Sequence, residues 1–91
     1  MNTSRGTFEV KNKLGLHARA ATKLVQLASK YPCDILLSRA GQAANAKSVM
    51  GVLLLCGSKG TKLDIEATGE QASEAVKNLG ELIDNRFGED E

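Results

Sequence analysis

The only histidine of the 91-residue chain, His17, lies in the sequence GLHARAA (15–21), directly before a pattern typical of a helix. Histidine is an unusual residue for a helix start, because Ser, Thr, Asp and Asn cap helices better. The first turn of a helix leaves backbone N–H groups without intrahelical partners and carries partial positive charge, so it stabilises anions. A residue that breaks a local preference at such a position favours a functional explanation.

A neutral imidazole can act as a nucleophile towards a phosphoryl group. The oxygens of the attached phosphoryl group would then face the backbone N–H groups of Ala18 and Arg19, and the Arg19 guanidinium would supply further donors. Gly15 allows a tight entry into the helix and leaves room for a donor molecule. The residues alone also permit an ordinary solvated histidine. Cys33 and Cys56 lack metal-ligand spacing relative to His17, so no metal site is predicted.

A second informative stretch is NAKSVMGVLLL (45–55). Ser48 suits a helix N-cap, and a serine in that position is also accessible to a kinase. Val49, Met50 and Leu53 form either core packing or an adaptable contact surface, for which methionine is well suited.

Hydrophobic periodicity predicts seven elements in the order β-α-β-β-α-β-α. The predicted strands are residues 7–11, 33–39, 42–46 and 62–67. The first two predicted helices are residues 18–30 and 49–55. A capping box formed by Thr68 and Gln71 is predicted to open the last helix. Gly80 within the last helix costs roughly 1 kcal/mol relative to alanine. These elements fit an α+β open-faced sandwich, with one four-stranded, mostly antiparallel sheet and three helices on one face.

Composition indicates a single globular domain over residues 1–91, with 42% hydrophobic and 25% charged residues. The net charge of +1 argues against broad attraction to nucleic acid or anionic membranes. The sequence predicts no membrane insertion, a cytoplasmic location and two buried free thiols, Cys33 and Cys56. The acidic end, residues 88–91, is predicted to be solvated and frayed.

The two stretches GLHARAA and NAKSVMGVLLL together resemble the histidine-containing phosphocarrier family, HPr and its nitrogen-branch relatives, of the bacterial phosphotransferase system. The resemblance extends from about Thr7 to Phe87. It implies the open-faced sandwich fold and a monomeric phosphoryl carrier without a cofactor, which is a co-substrate of other proteins rather than an enzyme.

The resemblance also implies roles for individual residues. His17 would accept a phosphoryl group on Nδ1 from enzyme I, originally from phosphoenolpyruvate, and pass it to an enzyme IIA. Arg19 matches the family's active-site arginine. Ser48 matches the serine that an ATP-dependent HPr serine kinase/phosphorylase modifies in some members. The implied docking residues are Ala20, Lys47, Val49, Met50 and Leu53. Ala20 stands where the family often has proline, which would start the helix more rigidly.

Residues 47–52 resemble the sugar branch of the family, whereas residues 65–69 and 85–91 resemble the nitrogen branch. A general HPr is favoured over a nitrogen-branch regulator. A docking protein with an idle His17 is a third alternative. The remotest is a small RNA-binding module, because Gly57-Ser58-Lys59-Gly60 has the G-x-x-G pattern of KH domains.

Overall fold

The computed structural model describes residues 2–91. Its elements follow the predicted order, with a short 3₁₀ helix after the last α-helix. The strands are β1 (Thr3–Glu9), β2 (Asp34–Arg39), β3 (Gln42–Asn45) and β4 (Lys62–Thr68). The helices are α1 (Ala18–Ala28), α2 (Val49–Leu54) and α3 (Ala72–Asp84), and the 3₁₀ helix is Arg86–Gly88.

Within residues 2–91, the four strands form one sheet in the order β1-β4-β2-β3, and each neighbouring pair is antiparallel. In the central strand β4, Ile65 pairs with Gly6 on one side and with Leu37 on the other. The sheet is therefore fully antiparallel, and the predicted open-faced sandwich is confirmed.

The two faces of the sheet differ in character, because successive side chains of a strand point to opposite sides. One face carries buried apolar residues and packs against the helices, and the other is polar, with Arg5 Nε 2.6 Å from Glu66 Oε2. The helices bury one stripe each. The buried residues of the sheet face, α1 and α3 are Ile35, Leu37, Leu63, Ile65, Ala67, Ala20, Ala21, Leu24, Ala28, Ala72, Ala75, Val76, Leu79 and Ile83.

Two boundaries differ substantially from the prediction. β1 begins at Thr3 rather than at residue 7, because its first half pairs with the end of β4, where Thr3 lies opposite Thr68. The predicted capping box is wrong, since Thr68 belongs to β4 and Gln71 caps α3 with a left-handed backbone (φ 65°) and no side-chain hydrogen bond. Other ends differ by one or two residues, as is usual where helices and strands fray.

Gly80 in α3 has a structural reason that the sequence did not show. A Cβ at this position would lie 2.9 Å from Cδ1 of Phe8 and closer still to two other ring carbons. Phe8 lies on β1, so the missing side chain lets α3 approach the sheet at its edge strand. The glycine therefore sets the distance between α3 and β1.

Candidate functional site

His17 is the N-cap residue of α1, as predicted. Its backbone is extended (φ −76°, ψ 176°), and its ring Nδ1 accepts a hydrogen bond from the backbone N–H of Arg19 at 3.3 Å. The imidazole therefore lies at the positive end of the helix, next to backbone donors. Its side chain is 26% exposed, so part of the ring is accessible to solvent.

The loop before His17 is held by contacts that only glycine allows. Gly15 has a left-handed backbone (φ 65°), and a Cβ there would lie 2.9 Å from Ser58 Cα and closer still to the Gly57 carbonyl oxygen. The next residue, Leu16, is buried and donates its backbone N–H to Gly57 O at 2.7 Å. This approach of two backbone segments fixes the entry into α1 and hence the position of His17.

Gly57 has the complementary constraint, because a Cβ there would lie 2.7 Å from Leu16 Cδ1. The G-x-x-G segment therefore starts with a glycine needed for packing, and only its second glycine, Gly60, has a positive φ (91°). β4 follows this loop directly, as the sequence predicted.

The residue that sequence reasoning missed is Glu89. Its Oε2 contacts Nε2 of His17, and its Oε1 accepts a hydrogen bond from Asn12 Nδ2 at 2.9 Å. Asn12 is fully buried and also donates to the Gly15 carbonyl oxygen at 2.8 Å. The Glu89 side chain is only 14% exposed. Its separation from His17 by 72 positions explains why no local pattern indicated the contact.

The pKa of Glu89 is lowered from its ordinary value, mainly by the hydrogen bond from Asn12. Desolvation acts in the opposite direction, and His17 and Arg19 lower the pKa further through a hydrogen bond and through their charges. Glu89 is therefore a carboxylate at neutral pH.

The acidic end of the chain, which the sequence predicts to be solvated and frayed, is largely exposed but contacts the rest of the fold at several points. Phe87, directly before it, is fully buried in the core, and its carbonyl oxygen accepts a hydrogen bond from Lys23 Nζ at 2.8 Å. The backbone N–H of Lys13 donates to the Glu91 carbonyl oxygen at 2.6 Å. Residues 88–91 are thus attached at both sides and place Glu89 against His17.

An open groove of about 490 Å³ adjoins the site. Three cationic side chains, those of Lys13, Arg19 and Lys23, line it together with residues 88–91 and Leu14. Arg19 itself is exposed. The groove therefore places these three cationic side chains beside the acidic residues Glu89, Asp90 and Glu91, and Arg19 extends it to the start of α1.

Ser48 is the N-cap of α2, as predicted. Its Oγ accepts a hydrogen bond from the backbone N–H of Gly51 at 3.1 Å, and the residue is half-buried. Its hydroxyl thus has a structural role at the start of a short helix.

Comparison with known proteins places this geometry in a family. Residues 4–85 match a family model described as the PTS HPr component phosphorylation site. The chain belongs to the HPr family. It is therefore a phosphocarrier of the phosphotransferase system, a carrier rather than a catalyst.

Both branches of the HPr family are represented among the similar proteins. The phosphocarrier protein HPr of Xylella fastidiosa (strain Temecula1) is 52% identical over 81 residues, which cover 89% of this chain and 91% of that protein. The phosphocarrier protein NPr of Escherichia coli (strain K12) is 40% identical over 89 residues, covering 97% of this chain and 99% of that protein. The crystal structure of an HPr from Thermoanaerobacter tengcongensis is 42% identical, with a TM-score of 0.93 and coverage of 97% and 99%.

The residues expected to form the docking surface of an HPr are only partly exposed here. Val49 and Met50 are exposed, at 37% and 68%, whereas Leu53 is half-buried and packs against the core. Lys47 is half-buried, and its Nζ donates to the Tyr31 carbonyl oxygen at 2.6 Å. Ala20 is fully buried, so its side chain is not part of the accessible surface, contrary to the prediction.

Other apolar side chains are exposed where the sequence analysis named none. Leu54 follows Met50 by one helical turn on α2, and Leu14 precedes His17, and each is 68% exposed. No local pattern separated Leu53 from Leu54, because α2 is short and apolar over most of its length.

The prediction for the cysteines is confirmed for Cys33, which is buried, and wrong for Cys56, which is exposed. Cys56 directly follows the C-cap of α2 and has a left-handed backbone (φ 53°). Within residues 2–91, no helix has the length and apolar character needed to cross a membrane.

Proposed function

We propose that His17 is the phosphoryl acceptor of this phosphocarrier, that enzyme I is the donor and that an enzyme IIA is the recipient. The observation that supports this most directly is the position of His17 at the start of α1, with Nδ1 next to the backbone N–H of Arg19. In the first step, the Nδ1 lone pair attacks phosphorus, a nitrogen–phosphorus bond forms, and the bond between phosphorus and its donor atom on enzyme I breaks. The second step is the same displacement towards enzyme IIA.

The phosphoryl group on Nδ1 would be held by the first turn of α1. Its oxygens would accept hydrogen bonds from the backbone N–H groups of Ala18 and Arg19 and from the Arg19 guanidinium. Arg19 is exposed and lines the groove beside the ring, so its side chain is free to move towards the new charge. No metal or cofactor is needed for this transfer.

The test is incubation with labelled phosphoenolpyruvate and enzyme I, followed by mapping of the modified residue. His17→Ala removes the only imidazole of the chain and should abolish labelling. Phosphate on histidine should be released by acid and retained in alkali. Normal labelling of His17→Ala, or label that is stable in acid and lost in alkali, would contradict the proposal.

Exposed apolar side chains on α2 are the proposed docking residues for these partners. Met50 is 68% exposed and lies on the helix that packs against α1, whose N-terminus carries His17. Met50→Ala should raise the KM for enzyme I several-fold and leave kcat nearly unchanged, because it removes contact area and not chemistry. Leu36→Ala, on the opposite, open face of the sheet, is the matched control.

Ser48 is proposed as a regulatory phosphorylation site for a serine kinase. A phosphoryl group on its Oγ would add nearly two negative charges at the start of α2 and replace the hydroxyl that now accepts from Gly51. Ser48→Asp should then slow phosphorylation of His17 by enzyme I, whereas Ser48→Ala, which removes only the cap, should not. Equal rates for both variants would remove the regulatory role.

The sugar branch is proposed over the nitrogen branch, because the first relative above is an HPr at 52% identity, compared with 40% for the NPr. The direct test presents the phosphorylated chain to a sugar-branch enzyme IIA and to a nitrogen-branch enzyme IIA. Faster transfer to the nitrogen-branch protein would reverse the assignment.

A further inference from the structure

Glu89 lies where nothing in the proposed transfer requires a carboxylate. One of its oxygens contacts Nε2 of His17, and the other accepts from Asn12 Nδ2 at 2.9 Å. The side chain is 14% exposed, although it belongs to a segment of highly polar sequence. A carboxylate that is buried to this degree and held on both oxygens is fixed in its orientation.

The contacts of the imidazole define where its proton lies. In a neutral imidazole, one ring nitrogen is a donor and the other is an acceptor. Nδ1 accepts the backbone N–H of Arg19 at 3.3 Å, so the proton is on Nε2, which faces the Glu89 carboxylate. Two contacts on opposite sides of the ring therefore select the same tautomer, with the lone pair on Nδ1.

The same arrangement matches the charge that develops on the ring. When Nδ1 bonds to phosphorus and Nε2 keeps its proton, the ring gains positive charge. An adjacent carboxylate stabilises that charge without taking the proton, as the buried aspartate does for histidine in a Ser-His-Asp triad. No proton needs to leave the ring in this step, because Nε2–H remains hydrogen-bonded to Glu89.

Glu89 is held in place by residues from separate parts of the chain. Asn12 is fully buried and donates to both Glu89 Oε1 and the Gly15 carbonyl oxygen, so it links the carboxylate to the loop that positions His17. Phe87 anchors the segment in the core, two residues before Glu89. Asn12, Glu89 and His17 thus form a continuous hydrogen-bonded chain.

We infer that Glu89 is a positioning residue for the phosphoryl-transfer reaction, which holds the His17 ring in the tautomer that presents the Nδ1 lone pair and stabilises the charged phosphohistidine. This inference rests on the proposed function of His17. Asn12 supports it by orienting the carboxylate.

The experiment compares the wild-type chain with Glu89→Ala, Glu89→Asp and the control Glu91→Gln. Glu91 is exposed and forms a surface ion pair with Lys13 at 3.6 Å, so its variant removes a nearby charge without touching the ring. The first measurement is the ¹⁵N chemical shifts of the His17 ring at about pH 8.5, where a free histidine is neutral. They should show a protonated Nε2 in the wild type and in Glu91→Gln. In Glu89→Ala the population of the tautomer protonated on Nδ1 should rise, because only the longer Arg19 contact at 3.3 Å then favours a proton on Nε2.

The second measurement is the steady-state rate of phosphorylation by enzyme I. Glu89→Ala should lower kcat about tenfold or more, with little change in KM, because it removes the carboxylate that orients the reacting histidine. Glu89→Asp should restore part of the loss, since it keeps the charge. Circular dichroism confirms that each variant is folded.

Unchanged tautomer shifts in Glu89→Ala would overturn the inference. A change in KM alone, or faster phosphorylation, would also overturn it, because Glu89 would then act in docking or as a cover over the ring. A wild-type chain that is never phosphorylated on His17 would refute the proposed function instead. The ring shifts would still show whether Glu89 sets the tautomer, so the two failures are distinguishable.

Discussion

Replacing Gly80 with alanine is expected to destabilise this protein, against the usual effect of that change in a helix. Alanine in a helix interior is favoured over glycine by about 1 kcal/mol. In α3, however, the new Cβ would lie 2.9 Å from Phe8 Cδ1 and closer to two further ring carbons. Overpacking of a core contact costs roughly 1–3 kcal/mol, and contact with three ring carbons places this one near the upper end.

The net effect on the free energy of unfolding is therefore a loss of about 1–2 kcal/mol, the clash minus the gain in helix propensity. For a domain of this size, the melting temperature should fall by roughly 4–8 °C per kcal/mol. Urea unfolding followed by far-UV circular dichroism is the suitable assay, because the chain has no tryptophan and one tyrosine.

A double-mutant cycle isolates the clash. In the Phe8→Ala background the ring is absent, so Gly80→Ala should stabilise by up to about 1 kcal/mol. The coupling energy between the two positions should then be about 2–3 kcal/mol, which is the clash alone, because the gain in helix propensity is the same in both backgrounds. Stabilisation by Gly80→Ala in the otherwise unchanged chain would refute the reasoning, since it would mean that the ring moves aside at no cost.

Three further predictions concern the site. Gly15→Ala should unfold at a lower urea concentration than Gly60→Ala: both residues have a positive φ, but only at Gly15 would the new Cβ meet other atoms. Ser48→Ala should lose about 1 kcal/mol of stability in the same assay, because it removes the N-cap of α2. The pKa of Glu89 is lower in the folded chain than in the unfolded chain, so its ionised carboxylate stabilises the fold at pH values above the ordinary carboxyl pKa. This contribution is lost as the pH falls through the lowered pKa. Glu89→Gln should therefore lose less stability than the wild type between pH 6 and strongly acidic pH; equal losses would contradict the argument.

Patterns that depend on near neighbours in the sequence predicted most of the fold. The alternation of Lys62 to Ala67 and the stripe of Ala21, Leu24 and Ala28 indicated β4 and α1, because burial on one face imposes those periods. The start of β1 was missed, since its pairing partner at Thr68 lies on a distant strand. The start of α3 was missed because the left-handed Gln71 has no distinctive residue type.

The candidate site also contains residues that their sequence neighbours predict and residues that only the folded chain brings together. His17 and Ser48 are helix N-caps, and both could be predicted because a helical sequence pattern begins directly after each of them. Asn12 and Glu89 are brought together only by the folded chain, and an acidic terminal run usually is a solvated segment. Helix propensity alone predicts that Gly80 costs stability in α3. The reason for the glycine lies in the ring of Phe8, which is far from it in the sequence.

The different exposure of the two cysteine thiols allows local and global opening of this protein to be measured by alkylation. Cys33 is 2% exposed at the entrance to β2, whereas Cys56 is exposed beside α2. An alkylating reagent would label Cys56 at once and Cys33 only during excursions that separate the helices from the sheet. The ratio of the two labelling rates thus reports the fraction of molecules in which the helices have separated from the sheet. No engineered probe is needed for this measurement.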